Sequence, residues 1–208
     1  MERGRVLADV EQYYGAKLRD HGATPRGVDW NSAESQALRF DRLLELLDRE
    51  DAPTLNDYGC GYGALVDHLQ ARGKRVRYRG FDICAEMVTA ARALHPEQPE
   101  GTFICDEALL QPADYCLASG IFNVRLEVAD DDWLSYVLDV LERINARART
   151  GLGFNALSIY SDPERRRRDL YYADPALLFD HCKRRLSPYV RLLHDYPLHE
   201  FTILVKKP

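Results

Sequence analysis

The most chemically informative spacing in the sequence is a run of three glycines at every second position, Gly59, Gly61 and Gly63. The run follows an apolar-flanked segment that is typical of a short strand, and a segment typical of a helix comes after it. Glycine lets a backbone turn tightly and lets a ligand come close, and the first N–H groups of the following helix point into the same space. Asp57 stands just before the run, and Asp82 stands about one strand-helix-strand unit after it. Together these residues predict a site for a nucleotide-like cofactor.

Alternating strands and helices must position this site. Strands are predicted near residues 54–58, 76–82, 102–105, 114–119, 152–159, 188–195 and 198–206, and helices near 63–72, 84–94, 131–147 and 174–186. This alternation predicts an α/β fold, a doubly wound and mainly parallel sheet covered on both faces. Only Tyr196-Pro197 separates the last two strands, which is too short for a crossover helix. We therefore expect a seven-stranded sheet with one antiparallel strand from a C-terminal hairpin.

The first 38 residues are expected to form a helical lid, residues 1–38, ahead of a core domain, residues 39–208. The apolar pattern predicts a helix over residues 5–20, and Asn31 or Ser32 is placed to cap a second helix. Two glycines and a proline between them oppose any regular element. The polar and aromatic side chains of this extension favour its role as a cover over the cofactor site.

Composition narrows the classes of partner. The chain has 208 residues, 46% of them hydrophobic, a net charge of −5 and a pI of about 5.7. This size fits one domain with an extension, and the acidic balance disfavours nucleic acid as a partner. Neither a membrane span nor a secretory leader is expected from the sequence. Five cysteines without a C-x-x-C pair predict reduced thiols in a cytoplasmic protein and no metal site.

The glycine segment carries a family resemblance. Residues 57–63 (DYGCGYG) closely resemble the D-x-G-C-G-x-G first motif of class I S-adenosylmethionine (SAM)-dependent methyltransferases. Asp82 matches the acid that holds the ribose hydroxyls in this family, and Asp106 resembles the third-strand acid that contacts the adenine amino group. Ser119 and Gly120 resemble the end of the fourth strand, beside the methionine part of the cofactor. The order and spacing agree from about residue 40 to the C-terminus.

The resemblance implies that SAM is the cofactor and S-adenosylhomocysteine (SAH) the product. The implied cofactor-binding residues are Asp57, Gly59, Cys60, Gly61, Gly63, Asp82, Ile83, Met87, Asp106, Ser119, Gly120, Trp30 and Arg39. Four of them have structural alternatives. Asp82 and Asp106 each precede a segment whose helix they could simply cap, Met87 on a helix is more typical of a core residue, and Trp30 could simply anchor its loop to the core.

A nicotinamide cofactor is the alternative ligand for the glycine loop, because a dinucleotide fold also uses a G-x-G-x-G pattern with a later acid. The chain even contains Tyr13-x-x-x-Lys17, a pair that short-chain dehydrogenases use. That pair precedes the loop here, whereas those enzymes place it far after. The chain also lacks room for a separate catalytic domain, so the methyltransferase interpretation is preferred.

The acceptor side is predicted from the lid and from the loops after the fourth and fifth strands. His21 is a candidate general base and Arg26 a candidate clamp for a carboxylate or phosphate, although His21 alternatively only caps the preceding helix. Asn123, Tyr160 and Tyr172 are the further candidates for substrate binding.

We expect a methyltransferase that moves a methyl group to an O or N atom of a small-molecule acceptor by direct displacement. Methylation of RNA or protein is an alternative, since the four arginines of residues 165–168 could grip phosphates. The loop after the fourth strand lacks the N-P-P-Y pattern of enzymes that methylate adenine, which disfavours DNA. A non-catalytic SAM-binding or scaffold module is a further alternative. The sequence specifies no oligomeric state.

Overall fold

A computed structural model describes residues 3–47 and 52–208 of the chain. Its α-helices are α1 (Arg3–His21), α2 (Ala33–Leu44), α3 (Ala64–Ala71), α4 (Ala85–Leu94), α5 (Asp130–Arg147) and α6 (Pro175–His181). Short 3-10 helices cover Pro25–Val28, Glu107–Leu109 and Pro163–Arg165, and a π-helical turn, Cys182–Leu186, continues α6. None of the described helices is long and apolar enough to cross a membrane.

The seven strands form one sheet. They are β1 (Thr54–Tyr58), β2 (Arg77–Phe81), β3 (Phe103–Ile104), β4 (Ala113–Ala118), β5 (Ala148–Leu157), β6 (Tyr189–Leu193) and β7 (Glu200–Lys206). Their order across the sheet is β3-β2-β1-β4-β5-β7-β6. Only β7 runs antiparallel to its neighbours, and the other described pairs are parallel. The predicted fold class is therefore confirmed, including the antiparallel C-terminal strand.

The hairpin between β6 and β7 has a longer connection than the sequence predicts. Residues 194–199 lie between the strands, instead of Tyr196 and Pro197 alone. Tyr196 is buried, and its hydroxyl lies 2.9 Å from Oγ1 of Thr202. An aromatic side chain that folds back onto the strand needs a wider turn than a two-residue connection provides, which explains the difference.

Helices α2 and α3 cover one face of the sheet, and α5 covers the other. Ser32 begins α2 as its N-cap, because its side chain accepts a hydrogen bond from the N–H of Ser35 at 3.1 Å. On the opposite face Trp133 is fully buried in α5, and its indole N–H donates to the carbonyl of Phe122 at 2.9 Å. That bond fixes the loop after β4.

The strand order explains where a ligand should bind. The chain moves outward from β1 to β2 and β3 and then returns to β4 on the other side of β1. In open α/β sheets ligands bind beyond the carboxyl ends of the strands at such a switch point. The loops after β1, β2 and β4 meet at this edge, which is where the predicted glycine loop lies.

Candidate active site

The glycine loop is held against the end of β2. The N–H groups of Gly59 and Cys60 both donate to the carbonyl of Phe81, at 2.7 and 2.9 Å. Gly59 has a φ of +85°, and a Cβ placed there would lie 2.2 Å from Cγ2 of Ile121. Gly61 has a φ of +54°, also in the left-handed region. Both positions therefore require glycine, for backbone conformation and, at Gly59, for space.

Asp82 connects the loop to the end of β2. One carboxylate oxygen accepts from the N–H of Gly61 at 2.8 Å, and the other accepts from the N–H of Cys84 at 2.9 Å. Burial raises the pKa of Asp82 to about 6, although the two N–H bonds act in the opposite direction. Asp82 lines the cleft and each of its oxygens has a further lone pair, so this carboxylate can accept two hydroxyl groups of one diol.

Asp57 lies deeper in the same cleft. Its Oδ2 accepts from the hydroxyl of Tyr78 at 2.7 Å, and Oδ1 has no donor among the described residues. Burial raises the pKa of Asp57 to about 7, and the nearby charge of Asp82 contributes in the same direction. A buried carboxylate oxygen without a donor favours a ligand that brings an ammonium or hydroxyl group.

Gly120, at the end of β4, forms the opposite side of the cleft. Its N–H donates to Oδ1 of Asn155 at 2.7 Å, and its φ is +76°. A Cβ here would lie 2.3 Å from Cζ2 of Trp30, so the indole rests directly on this glycine. The guanidinium of Arg39 lies over the indole ring, with its central carbon 3.9 Å from the ring centroid. Trp30 is therefore fixed between the loop and a cation.

Arg39 is itself buried and forms a two-point ion pair with Glu200. Its Nε donates to Oε2 at 2.7 Å, and its NH2 donates to Oε1. A buried pair with this geometry holds both side chains in place, since neither charge has water to replace its partner. Arg39 thus positions Trp30 from behind.

The cleft that these residues surround encloses about 880 Å³, part of it open to solvent. Apolar side chains line the rest of it, among them Val10, Val28, Ile83 and Met87. An elongated cleft with apolar walls, two carboxylates and a glycine loop suits a nucleoside that carries polar ends. The residues present therefore fit SAM.

A cluster of ion pairs and a hydrogen bond around Asp29 joins the N-terminal segment to the core. This carboxylate accepts from the Tyr13 hydroxyl at 2.8 Å, and it pairs with Lys17 at 2.9 Å and with Arg167 at 2.9 Å. Arg167 also pairs with Asp169. The cluster joins α1 to the segment after β5, so Tyr13 and Lys17 have a structural role rather than the dehydrogenase role.

A second cavity, of about 1300 Å³, adjoins the cofactor cleft. Four residues border both spaces, namely Tyr14, Val28, Trp30 and Gly120. The second cavity is more polar than the first, and Asn123, Ser161, Arg165, Arg167, Tyr172 and His199 contribute to its walls. A methyl donor in the cleft and an acceptor in the second cavity would meet at the four shared residues.

Most of the predicted cofactor residues line the first cleft: Asp57, Gly59, Cys60, Gly61, Asp82, Ile83, Met87, Ser119, Gly120 and Trp30. Arg39 lines the second cavity instead. Gly63 caps α3 and Asp106 caps a 3-10 helix, and neither lines a cavity. Asp106 is exposed, so the capping alternative describes its contacts here, and its contact with adenine stays a prediction.

Only two of the five residues predicted to act on the acceptor line a cavity next to the cofactor cleft. Asn123 and Tyr172 line the second cavity. His21, Arg26 and Tyr160 are exposed and line neither cavity, so their predicted roles gain no support from position.

Tyr14 and His199 are functional candidates that the sequence did not point to. Tyr14 follows Val10 by one helical turn, and that spacing indicates an apolar face but not a ligand. His199 lies in the hairpin connection, whose path depends on the folded sheet.

Comparison with known proteins agrees with the geometry. The family model described as "Methyltransferase domain" matches residues 56–120. "Putative methyltransferase Rv1506c" of Mycobacterium tuberculosis is 49% identical over 164 residues, which are 79% of this chain and 99% of that protein.

Solved structures show the same fold. The magnesium protoporphyrin IX methyltransferase ChlM of Synechocystis PCC 6803, with bound SAH, has a TM-score of 0.67 at 13% identity, covering 97% of this chain and 99% of its own. The plantazolicin methyltransferase BpumL, solved with SAH and a substrate analogue, has a TM-score of 0.58 at 12% identity, covering 97% and 98%.

The sheet order, the glycine loop and the two carboxylates are those of a class I SAM-binding enzyme. With the close relative above, they establish that the chain belongs to the methyltransferase family. Its cofactor is SAM, which supplies an activated methyl group on a sulfonium.

Proposed function

We propose that this enzyme transfers the methyl group of SAM to an oxygen or nitrogen atom of a small molecule that binds in the second cavity. The observation that carries the proposal is the junction, where Tyr14, Val28, Trp30 and Gly120 border both spaces. Direct displacement needs the acceptor, the methyl carbon and the sulfur in line, with water excluded. Two cavities that share a mostly apolar set of lining residues favour that arrangement.

Different residues bind the two ends of SAM and border the reacting atoms. The glycine loop and Asp82 bind the nucleoside end, and Asp57 with Ser119 and Gly120 binds toward the amino-acid end. Trp30, backed by Arg39, fixes the wall beside the reacting atoms. ChlM is a magnesium protoporphyrin IX methyltransferase and BpumL a plantazolicin methyltransferase, so two proteins of this fold act on organic compounds, which supports an acceptor of that kind.

The arginine run gives less support to an RNA or protein acceptor. Arg166 donates to the backbone carbonyls of Ile159 and Ser161, and Arg167 is engaged by Asp29 and Asp169. Two of the four guanidinium groups therefore serve the fold and are unavailable as a phosphate patch.

We also propose that residues 1–38 contain a lid on the core, residues 39–208; α1 and the segment before α2 form it, because α2 (Ala33–Leu44) crosses this boundary and packs on the sheet. The contacts of α1 with the Asp29 cluster and the cleft support this division. A cytoplasmic location is proposed with it, supported by cysteines that are free at all five positions.

Calorimetric titration with SAM, followed by a screen of small acceptors for SAH release, tests the proposal. We expect saturable SAM binding and SAH release that depends on the acceptor. Gly61→Val is the control, because a side chain at φ +54° would strain the loop and intrude toward Val28. SAM binding without turnover on any acceptor would favour the scaffold alternative, and absence of SAM binding would refute the proposal.

A further inference from the structure

The junction between the two cavities offers hydrogen-bond donors from its side chains. Of the four residues there, Val28 and Gly120 have no polar side-chain atom, and the Trp30 indole can only donate. Tyr14 lines both spaces, and no hydrogen bond of its hydroxyl is found among the described residues. The phenol feels the charges of Asp29, at the second cavity, and of Asp82, at the cofactor cleft. It is therefore available to a ligand at the place where methyl transfer would occur.

Tyr14 does not act as a base at this position. Its burial raises the pKa of the phenol well above its usual value, and the carboxylates of Asp29 and Asp82 act in the same direction. Arg167 opposes them with a smaller effect. The hydroxyl keeps its proton at neutral pH and offers it as a hydrogen bond.

The neighbouring carboxylates are also poorly placed to accept a proton from the acceptor. Asp29 is engaged by Tyr13, Lys17 and Arg167, so its oxygens already face three donors. Asp57 and Asp82 line the cofactor cleft but not the second cavity. His199 lines the second cavity but not the junction.

The junction offers the Tyr14 hydroxyl as a hydrogen-bond donor but, among the described residues, no side chain that could act as a base. This combination limits which kinds of acceptor atom can react there. An alkylamine is protonated at neutral pH, so its nitrogen has no lone pair for the methyl carbon until a base removes a proton. An anionic oxygen has several lone pairs, so it can accept from Tyr14 and attack the methyl carbon together. It also needs no base, because it is already deprotonated.

We propose that the acceptor of this enzyme is an oxygen anion, a carboxylate or an acidic phenolate, which Tyr14 holds by a hydrogen bond at the junction. The inference rests on the proposed function. The acceptor oxygen supplies the electron pair of the new O–C bond, the bond between methyl carbon and sulfur breaks, and its electron pair stays on sulfur. The products are a neutral methyl ester or ether and SAH, and no proton is transferred.

A panel of acceptors matched in shape tests this proposal with methyl-tritiated SAM. The panel pairs benzoate with benzylamine, indole-3-acetate with tryptamine and octanoate with octylamine, and adds 4-nitrophenol. We expect label in methyl esters or ethers and none on nitrogen, with products identified by mass spectrometry. Transfer to amines alone, or to none of the oxygen acceptors, overturns the proposal.

Tyr14→Phe provides the second readout, with Tyr189→Phe as a matched control on the exposed edge strand β6. We expect Tyr14→Phe to lower kcat about tenfold for an oxygen acceptor, which is what losing one hydrogen bond of about 1.4 kcal/mol predicts. Its Kd for SAM should stay within about twofold of the unmodified enzyme. An unchanged kcat in folded Tyr14→Phe overturns the role of Tyr14.

Different results would refute the proposed function and the oxygen-anion acceptor. Absence of SAM binding in the unmodified enzyme would refute the proposed function. Normal SAM binding with transfer to nitrogen would leave that function in place and refute the oxygen-anion assignment.

Discussion

Replacement of Asp82 by alanine is the most direct test of the cofactor site. The carboxylate already accepts from the N–H groups of Gly61 and Cys84, and it lines the cleft with lone pairs to spare. A hydrogen bond to a charged group contributes about 1.5–3 kcal/mol. Since about 1.4 kcal/mol is a tenfold change, Asp82→Ala should weaken SAM binding by about 10- to 150-fold.

Isothermal titration with SAM and with SAH measures this change. Asp180→Ala is a suitable control, because it removes a carboxylate that forms an exposed pair with Arg184 on α6, far along the chain from the cleft. Exposed pairs contribute little to stability, so this variant should bind SAM normally. Thermal unfolding of both variants confirms that they are folded. A folded Asp82→Ala protein whose Kd stays within about twofold would remove Asp82 from the cofactor site.

Four further outcomes are expected. Gly120→Ala should displace the Trp30 indole and weaken SAM binding, and calorimetry showing normal affinity would contradict the close approach of these residues. Arg39→Met should destabilise the fold by about 3–5 kcal/mol by leaving Glu200 buried without its partner, and adding Glu200→Leu should recover much of the loss in denaturant titrations. Asp57 has a folded-state pKa of about 7, above its value of about 4 in an unfolded chain. The cofactor-free protein should therefore lose stability relative to Asp57→Asn as the pH rises from 4 to 7. Stability profiles that run parallel for the two proteins would argue against this. SAH should slow proteolysis of the loop between α1 and α2, and equal cleavage rates would count against a lid.

The cofactor side of the enzyme could be predicted from the sequence because its signals are local. Gly59 and Gly61 are required by left-handed backbone conformations, and such positions are visible as glycines at fixed spacing. Asp57 and Asp82 sit at strand ends, and strand ends are marked by the change from an apolar run to a turn. Each signal spans only a few residues, so no knowledge of the tertiary structure is needed to see it.

The acceptor side could not be predicted in the same way, because its contacts join distant parts of the chain. Arg39 and Glu200 are 161 positions apart, and nothing in either local pattern indicates the partner. Tyr14 has the helical spacing of an ordinary core residue, whereas its hydroxyl is available at the junction. His21 and Arg26 have suitable chemistry in the predicted lid, yet His21 ends α1, Arg26 lies in the next 3-10 helix, and both side chains are exposed. The residue types indicated the kind of reaction, but only the fold could show which side chains lie beside the cofactor cleft.

The Asp29 cluster explains why the two cavities share a stable wall. Asp29 has a φ of +61°, in the left-handed region that aspartate tolerates better than most residues. The turn at Asp29 leads the chain directly to Trp30, and the bonds from Lys17 and Arg167 keep that turn between α1 and the segment after β5. The position of Trp30, which borders both cavities, therefore depends on ion pairs that lie outside the cofactor cleft, two of whose members line the second cavity. Through Asp29 the N-terminal segment fixes the wall that the two cavities share.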